Sequence, residues 1–180
     1  GDVIRLILPE SHIMTVEGET AGAALTSLLA IEYLDEKESL VLVNGDQLLD
    51  YDENELVKFF VKSDADAGVF VFNSFHPRWS YVRTDKDGLV IEAAEKKPIS
   101  NQATAGFYYY KKTFEYIESV KRMILKGGDV DGLYYICPVF NEMILEQKKI
   151  LTYSIDPKKY HSFMSPEKVK EFEKTNLCLS

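Results

Sequence analysis

The chain has 180 residues, of which 46% are hydrophobic and 12% aromatic, and its formal net charge at pH 7 is −8. This length and apolar content suffice for one well-buried core, so we predict a single domain. The acidic balance argues against a general nucleic-acid binder, because such proteins neutralise phosphates with clustered Lys and Arg. Cys137 and Cys178 lack the spacing of a zinc site or a disulfide framework, and no apolar run could span a bilayer, which together favour the reducing cytoplasm.

The first half of the chain alternates strand and helix patterns. Residues 3–8 are a short apolar stretch that indicates an opening strand or the tail of one. Residues 20–34 have apolar side chains at helical spacing, and Asp52, with a Glu three residues later, is typical of a helix cap. Strand patterns occur at 40–43 and 68–72. These alternating units predict a βαβ core with a parallel sheet.

The pattern changes after residue 72. Residues 79–83 and 89–93 flank an Asp-Lys-Asp-Gly turn and predict a β-hairpin. Further elements are predicted as a strand at 103–110, helices at 112–126 and about 139–146, a strand at 150–155, and a last helix capped by Ser165 with Pro166 at its first position. We therefore predict an α/β fold in a single domain, Rossmann-like, with a mixed, mostly parallel sheet flanked by helices and an inserted β-hairpin.

The most informative short motif is an apolar Leu-Val-Leu-Val run that ends in Asn44, Gly45 and Asp46. Ligands of open α/β sheets collect at the carboxyl ends of such strands. Gly45 lets the backbone approach a ligand, and Asp46 can hold a Mg²⁺ whose other ligands are waters and phosphate oxygens. The ordinary turn chemistry of Gly and Asp is the alternative explanation for the same two residues.

A second cluster begins at Glu95-Lys96-Lys97-Pro98 and continues through Ser100-Asn101 to Gly106-Phe107-Tyr108. Following the Asn-Gly-Asp strand and a hairpin, it resembles the Glu-Lys-Pro…Ser-Asn…Gly-x-Tyr signature of the sugar-1-phosphate nucleotidyltransferases. Members of that family join a nucleoside triphosphate to a sugar 1-phosphate, release pyrophosphate and need Mg²⁺. The resemblance runs in order through nearly the whole chain and implies one nucleotidyltransferase-like domain over residues 1–180.

Four further segments lie in the family's order. The first, which resembles the family's base-contacting Gly-Thr-Ala-x-Ala, is Glu19-Thr20-Ala21-Gly22-Ala23-Ala24. The second, which resembles Arg-Tyr-Gly-Val-Val at the sugar, is Arg78-Trp79-Ser80-Tyr81-Val82, and the third, which resembles Tyr-Tyr-Leu-Thr-Asp, is Tyr134-Tyr135-Ile136-Cys137-Pro138. The fourth resembles Trp-x-Asp-x-Gly-Thr-Pro-Glu and is Tyr160-His161-Ser162-Phe163-Met164-Ser165-Pro166-Glu167.

The resemblance assigns roles to particular residues. Asp46 and Lys96 are implied as catalytic, with Asp46 holding the metal and Lys96 the sugar phosphate. The implied nucleotide-binding residues are Glu19, Thr20, Gly22 and Gly45, and the implied sugar-phosphate-binding residues are Ser80, Glu95, Lys96 and Gly106. Mg²⁺ is the expected cofactor. The expected partners are a nucleoside triphosphate and a sugar 1-phosphate, in nucleotide-sugar or polysaccharide biosynthesis, with no nucleic acid and no membrane span; a homo-oligomer is left open.

The sequence also departs from the family pattern. The phosphate-binding loop Gly-x-Gly-x-Arg is absent, so we expect that the N-terminal part of the fold is missing and that this chain as given is catalytically incomplete. Ser162 stands where the family has its second metal carboxylate, and His161 is its neighbour, so the second metal ligand is left open near these two residues. Glu19 replaces the usual glycine, and Pro138 replaces an aspartate.

Two other functions stay open beside a nucleotidyltransferase. A glycosyltransferase of the GT-A-like architecture would need an Asp-x-Asp pair at a strand end. The four such spacings begin at Asp50, Asp64, Asp85 and Asp129, and none directly follows an apolar run. A non-catalytic regulatory domain that binds a nucleotide sugar is favoured by the absent loop and the replaced carboxylate.

Overall fold

The fold is seen in a computed structural model, which describes residues 2–177. The strands are β1 (Leu40–Val43), β2 (Gln47–Leu49), β3 (Ala67–Asn73), β4 (Tyr81–Thr84), β5 (Val90–Ala94), β6 (Gln102–Tyr110), β7 (Ile150–Ser154) and β8 (Tyr160–Ser162). The helices are α1 (Asp2–Ile7), α2 (Ala23–Leu28), α3 (Glu53–Lys62), α4 (Thr113–Leu125), α5 (Val139–Leu145) and α6 (Pro166–Leu177), with 3₁₀ turns at Ile31–Tyr33 and Pro157–Lys159.

The main sheet has the strand order β5-β4-β6-β3-β7. β1 pairs with the same edge of β6 as β4 does, but at the opposite end of that strand. A separate two-stranded sheet joins β2 to β8. The α/β class, the mixed sheet flanked by helices and the inserted hairpin are confirmed. In the main sheet β1, β3, β4 and β7 point the same way, as a mostly parallel sheet requires. Among the described pairs of the main sheet, however, only β3–β7 is parallel, because β6 runs antiparallel to β1, β3 and β4, and β5 runs antiparallel to β4.

β6 carries core residues on both faces of the sheet. Tyr108 and Tyr110 face one core cluster with side chains of α4 and α5, whereas Phe107 and Tyr109 face a second cluster with Phe60 of α3. The rings of Phe60 and Tyr109 stack with centroids 5.5 Å apart. Because successive side chains of a strand alternate in direction, one run of aromatic residues supplies both halves of the core.

Residues 3–8, expected as a strand, instead form most of α1 and the residue that follows it, so that expectation is wrong. The amide of Leu8 donates to the carbonyl of Ile4 at 2.7 Å, which is a helical bond. Val3, Leu6 and Ile7 are all exposed. A short apolar run fits a helix and a strand equally well, and its hydrophobicity alone did not distinguish them.

The helix expected at 20–34 is shorter than its apolar spacing indicated. It occupies only Ala23–Leu28, followed by the 3₁₀ turn. Gly22, at its N-cap, has φ +108° and so lies outside helical backbone. None of the described helices is both long and apolar enough to cross a lipid bilayer.

Predictions from helix-capping and turn residues were more reliable than those from the spacing of apolar residues. The Asp52 carboxylate accepts the amide of Asn54 at 2.9 Å and caps α3. In the hairpin, the Asp85 carboxylate accepts the amides of Asp87 and Leu89, each at 2.9 Å. Both predictions are confirmed, because each depends only on residues a few positions apart.

Candidate functional site

A cleft of about 220 Å³, here called the polar cleft, opens beside the carboxyl end of β1. Its walls come from the start of α2, the β1–β2 loop, the residues just before β4 and just after β5, β6, the segment before α5 and the residues around β8. The lining residues are Ala23, Asn44, Asp46, Arg78, Trp79, Ser80, Glu95, Thr104, Gly106, Tyr108, Tyr135, Ile136, Cys137, Tyr160, Ser162 and Met164. The cleft therefore collects residues from distant parts of the chain.

Gly106 lets the β1 end pack closely on β6. Its φ is +61°, and the β3–β6 register shifts in this part of the strand. The Gly106 carbonyl accepts the Asn44 amide at 2.9 Å and the Gln47 side-chain amide at 3.1 Å. A Cβ at position 106 would lie 2.2 Å from Asn44 Nδ2. A side chain at this position would force the Asn44 and Gln47 side chains to move and would adopt a positive φ that favours glycine, so Gly106 has a structural role beside its predicted contact with a sugar.

Asp46 is exposed in the loop between β1 and β2 and lines the polar cleft. Its carbonyl accepts the Phe163 amide at 2.7 Å, and β8 pairs with β2 so that Gln47 lies opposite Ser162. Ser162 consequently lines the same cleft as Asp46. Burial, together with the nearby Asp46 carboxylate, raises the pKa of Tyr160 to about 12.

His161 faces elsewhere. Its ring meets Phe172 of α6 edge-on, with centroids 4.8 Å apart, and it lines a neighbouring cleft rather than the polar one. Of the two residues at which the second metal ligand was left open, Ser162 is thus the one that shares a cleft with Asp46.

Polar side chains form a partly buried wall of the cleft. The Ser80 hydroxyl donates to the Glu95 carboxylate, and the Ser80 carbonyl accepts the Thr104 amide at 2.8 Å. The Thr104 and Tyr108 hydroxyls are 3.0 Å apart. Burial raises the pKa of Glu95 despite the hydrogen bond from Ser80. A half-buried carboxylate with a polar neighbour can accept hydrogen bonds from a ligand's hydroxyl groups.

Replacing Glu95 with Gln is expected to raise the free energy of unfolding at pH 7. Glu95 has a raised folded-state pKa, so its contribution to stability is complete below the unfolded value of about 4.5 and is lost as pH rises through the folded value. Gln keeps an acceptor for Ser80 without a charge. Urea unfolding from pH 4 to pH 7 should show a gain that grows with pH, and the matched variant Glu36→Gln, at an exposed position, should not. An unchanged or lower stability of Glu95→Gln at pH 7 would contradict the role of desolvation.

Lys96 lies at the rim of the cleft. Its φ of +52° turns the chain sharply, and its amide donates to the Trp79 carbonyl at 3.1 Å. Its Nζ donates to the Tyr135 hydroxyl at 2.7 Å and lies 4.9 Å from the centroid of that ring. This hydrogen bond raises the pKa of Lys96. Tyr135 lines the cleft, whereas Lys97 is exposed outside it.

The four residues predicted to bind nucleotide lie outside the lining of the polar cleft. Glu19 and Gly45 are exposed, and the Thr20 hydroxyl is 2.5 Å from that of Thr26. Gly22 packs against the backbone of Tyr134. Ala23, the next residue, does line the cleft. The structure thus brings together Asp46, Ser80, Glu95 and Gly106, places Lys96 at their rim, and leaves the nucleotide-binding assignment as a prediction.

Sequence reasoning missed Thr104 and Tyr108 as cleft residues. The sequence held a signal for both, because Thr104 and Tyr108 lie two positions before and after the predicted site residue Gly106 in the same strand, β6. Side chains two positions apart share one face of a strand, and all three residues line the cleft. Tyr135 and Cys137 were also missed, and they come from a segment without regular structure. Cys137 is buried, which raises the pKa of its thiol well above the usual range.

Comparison with known proteins gave the following matches. The family model for Nucleotidyl transferase matches residues 9–133. A nucleoside-diphosphate-sugar pyrophosphorylase from Vibrio cholerae RC9 has a similar structure, with a TM-score of 0.75 and 23% identity over 88% of this chain and 67% of that one. A Bacillus anthracis protein assigned as a glucose-1-phosphate thymidylyltransferase, in complex with sucrose, has a TM-score of 0.71 and 18% identity over 94% of this chain and 69% of that one. The sequences of curated proteins gave no match.

Proposed function

Because this chain belongs to the nucleotidyl transferase family, we propose that it transfers a nucleotidyl group from a nucleoside triphosphate to a sugar 1-phosphate bound in the polar cleft. The single observation that carries the sugar-phosphate part is the meeting of Asp46, Ser80, Glu95 and Gly106 in one cleft. The names of the two similar structures, a nucleoside-diphosphate-sugar pyrophosphorylase and a glucose-1-phosphate thymidylyltransferase, support it.

In the proposed reaction, a phosphate oxygen of the sugar 1-phosphate attacks the α-phosphorus of the triphosphate, and the bond to pyrophosphate breaks. The attacking group belongs to the substrate, so the protein needs to position and neutralise charge rather than supply a nucleophile. Glu95 accepts hydrogen bonds from sugar hydroxyls, and Ser80 orients that carboxylate. Lys96 neutralises the sugar phosphate from the rim.

The residues at the β1 end fit a magnesium ion. Mg²⁺ is commonly held by one or two carboxylates, with waters and substrate phosphates completing its oxygen ligands. Asp46 offers a carboxylate, and Ser162 offers a hydroxyl in the same cleft. Within residues 2–177 no group of three His, Cys, Asp or Glu could hold a metal, so phosphate oxygens would complete the set. Mg²⁺ bound there would neutralise phosphate charge.

The alternatives differ in what they need from the cleft. A GT-A-like glycosyltransferase requires an Asp-x-Asp pair, but the four pairs lie outside the polar cleft and Asp64, for instance, binds Lys111 at 2.6 Å. A regulatory domain that binds a nucleotide sugar without turnover remains the second candidate, because Ser162 replaces a carboxylate.

The proposal is tested by measuring pyrophosphate release in the presence of Mg²⁺, with each nucleoside triphosphate and a panel of sugar 1-phosphates. Binding of nucleotide sugars without release would favour the regulatory domain.

Lys96→Ala is expected to raise the KM for the sugar 1-phosphate by about 10-fold or more, since a hydrogen bond between charged groups is worth about 1.5–3 kcal/mol. Lys97→Ala is the matched control, because it removes an adjacent exposed lysine from outside the cleft lining. Its KM is expected to change less than about 2-fold, the size of a solvated surface charge effect. Steady-state kinetics on both variants decide the point, and equal effects would show that Lys96 does not bind the phosphate.

A further inference from the structure

A second cleft, of about 490 Å³ and here called the aromatic cleft, adjoins the polar cleft. The two clefts share Arg78, Trp79, Tyr160 and Ser162, which form their common wall. The opposite side of the aromatic cleft is formed by α6. Apart from Ser162 at the shared wall, none of the residues given a role in the proposed reaction lines it, so that reaction leaves most of its chemistry unexplained.

The wall of this cleft is a cluster of packed rings. Trp79 meets Phe72 edge-on at 5.3 Å between centroids, and Tyr160 stacks on Phe72 at 5.1 Å. Trp79 and Tyr160 also meet edge-on at 5.9 Å. Small-molecule sites are typically about 300–1,000 Å³ in volume and are lined by apolar and aromatic groups with a few placed polar ones. The aromatic cleft has this size and composition.

The charge of the aromatic cleft is opposite to that of the whole chain. Arg78, Lys168 and two histidines line it, and Glu171 is the one carboxylate in the lining. Lys168 Nζ lies 2.9 Å from Glu171 Oε2, so these two charges offset each other. Among the ion pairs of the described residues, none joins Arg78 to a carboxylate. In a chain of net charge −8, this leaves an available cation in the wall between the clefts.

The loop that carries Arg78 is braced. His76 Nδ1 accepts the Arg78 amide at 3.2 Å, and the His76 carbonyl accepts the Tyr81 hydroxyl at 2.7 Å. The Arg78 guanidinium carbon lies 4.4 Å from the centroid of the Trp79 ring. A guanidinium stacked on an aromatic face keeps its N–H groups available for the oxygens of a carboxylate or phosphate.

We propose that the aromatic cleft binds a second anionic group on the phosphate ester held by the polar cleft, so that the natural substrates are sugar phosphates bearing a carboxylate or a further phosphate. Arg78 pairs with that anion, and the aromatic wall packs on the apolar face of the sugar. This rests on the proposed function in one respect, namely that the sugar 1-phosphate itself lies in the polar cleft.

The test compares three probes by isothermal titration calorimetry in the presence of Mg²⁺: glucose 1-phosphate, glucuronic acid 1-phosphate and glucose 1,6-bisphosphate. The second probe replaces a primary alcohol with a carboxylate, and the third adds a phosphate. At least one of the two anionic probes is expected to bind about 10-fold more tightly than glucose 1-phosphate, as a charged hydrogen bond allows. Arg78→Gln should abolish that preference. Arg83→Gln, which removes a β4 arginine paired with Glu92 outside both clefts, should retain it.

The outcomes separate this proposal from the proposed function. If glucose 1-phosphate binds and neither anionic probe binds more tightly, the second site is overturned while the proposed function stands. If no probe binds, both fall. A preference that survives Arg78→Gln, or that Arg83→Gln abolishes equally, overturns the assignment to Arg78. Loss of nucleoside triphosphate binding in Arg78→Gln, with the probe preference unchanged, would assign the aromatic cleft to the nucleotide instead.

Discussion

Asp46→Asn is expected to lower Mg²⁺-dependent pyrophosphate release by about 10²-fold or more, which is typical of losing one group that stabilises transition-state charge. The Asp46 side chain is exposed in the β1–β2 loop. The backbone carbonyl of Asp46, which accepts the Phe163 amide, is unaffected by the substitution. The free energy of unfolding should therefore change little. Magnesium titration of the rate measures the effect, because a weakened site raises the Mg²⁺ concentration needed for half-maximal activity.

The matched control for this prediction is Asp50→Asn. Asp50 is also exposed and lies just after β2, but it does not line the polar cleft. Its substitution removes the same charge from the same acidic surface and should leave the rate within about 2-fold. If Asp46→Asn released pyrophosphate at the wild-type rate with the wild-type dependence on Mg²⁺, Asp46 would not be the metal ligand.

Gly22→Ala is expected to lower the free energy of unfolding by about 3 kcal/mol or more, from backbone strain of about 1–3 kcal/mol in a region essentially restricted to glycine and the loss of one or two backbone hydrogen bonds. Gly22 has φ +108°, and a Cβ there would lie 2.4 Å from the Tyr134 carbonyl oxygen and 2.6 Å from its nitrogen. The contact cannot relax through a side chain. It would separate the backbone pair in which Ala24 donates to Tyr134 at 3.0 Å and Tyr134 donates to Ala21 at 2.8 Å.

Gly18→Ala isolates the strain from the contact. Gly18 has φ +82° in the same loop, and a Cβ there would meet nothing within 4 Å. Its loss of stability should be about 1–2 kcal/mol. Urea unfolding of both variants gives the difference, and equal losses would mean that the Gly22–Tyr134 contact contributes nothing. Folded Gly22→Ala protein should also bind glucose 1-phosphate more weakly, because Tyr135 follows the displaced residue and lines the cleft.

The parts of the fold that sequence reasoning predicted were those with local causes. The cap at Asp52 and the hairpin turn at Asp85 involve residues within a few positions of each other. The pairing of β6 with β1, β3 and β4, and the β2–β8 sheet, depend on contacts between distant segments and were not predicted. Short strands such as β2 carry too few residues to show a period.

The same division applies to the candidate site. Asp46, Ser80, Glu95 and Gly106 were named from motifs, and the structure brings them into one cleft. Tyr135 lies in a segment that the resemblance identified without assigning it a role, and its place in the cleft depends on how the backbone near Gly22 packs against Tyr134. Lys96 was named from its motif, but its hydrogen bond to Tyr135 required both segments to be placed.

The central place of β6 also bears on how the chain folds during synthesis. The β4–β5 hairpin joins neighbouring segments and can form as soon as residue 94 has emerged, whereas β1 must wait for residues 107–110, its partners in β6. Closing such a long loop lowers conformational entropy before any contact compensates for it, which slows folding. Gly106 of β6 anchors Asn44 and the lining of the polar cleft extends to Met164, so a nascent chain can form its hairpin long before its binding cleft is complete. Ligands could therefore assist only the last stages of folding.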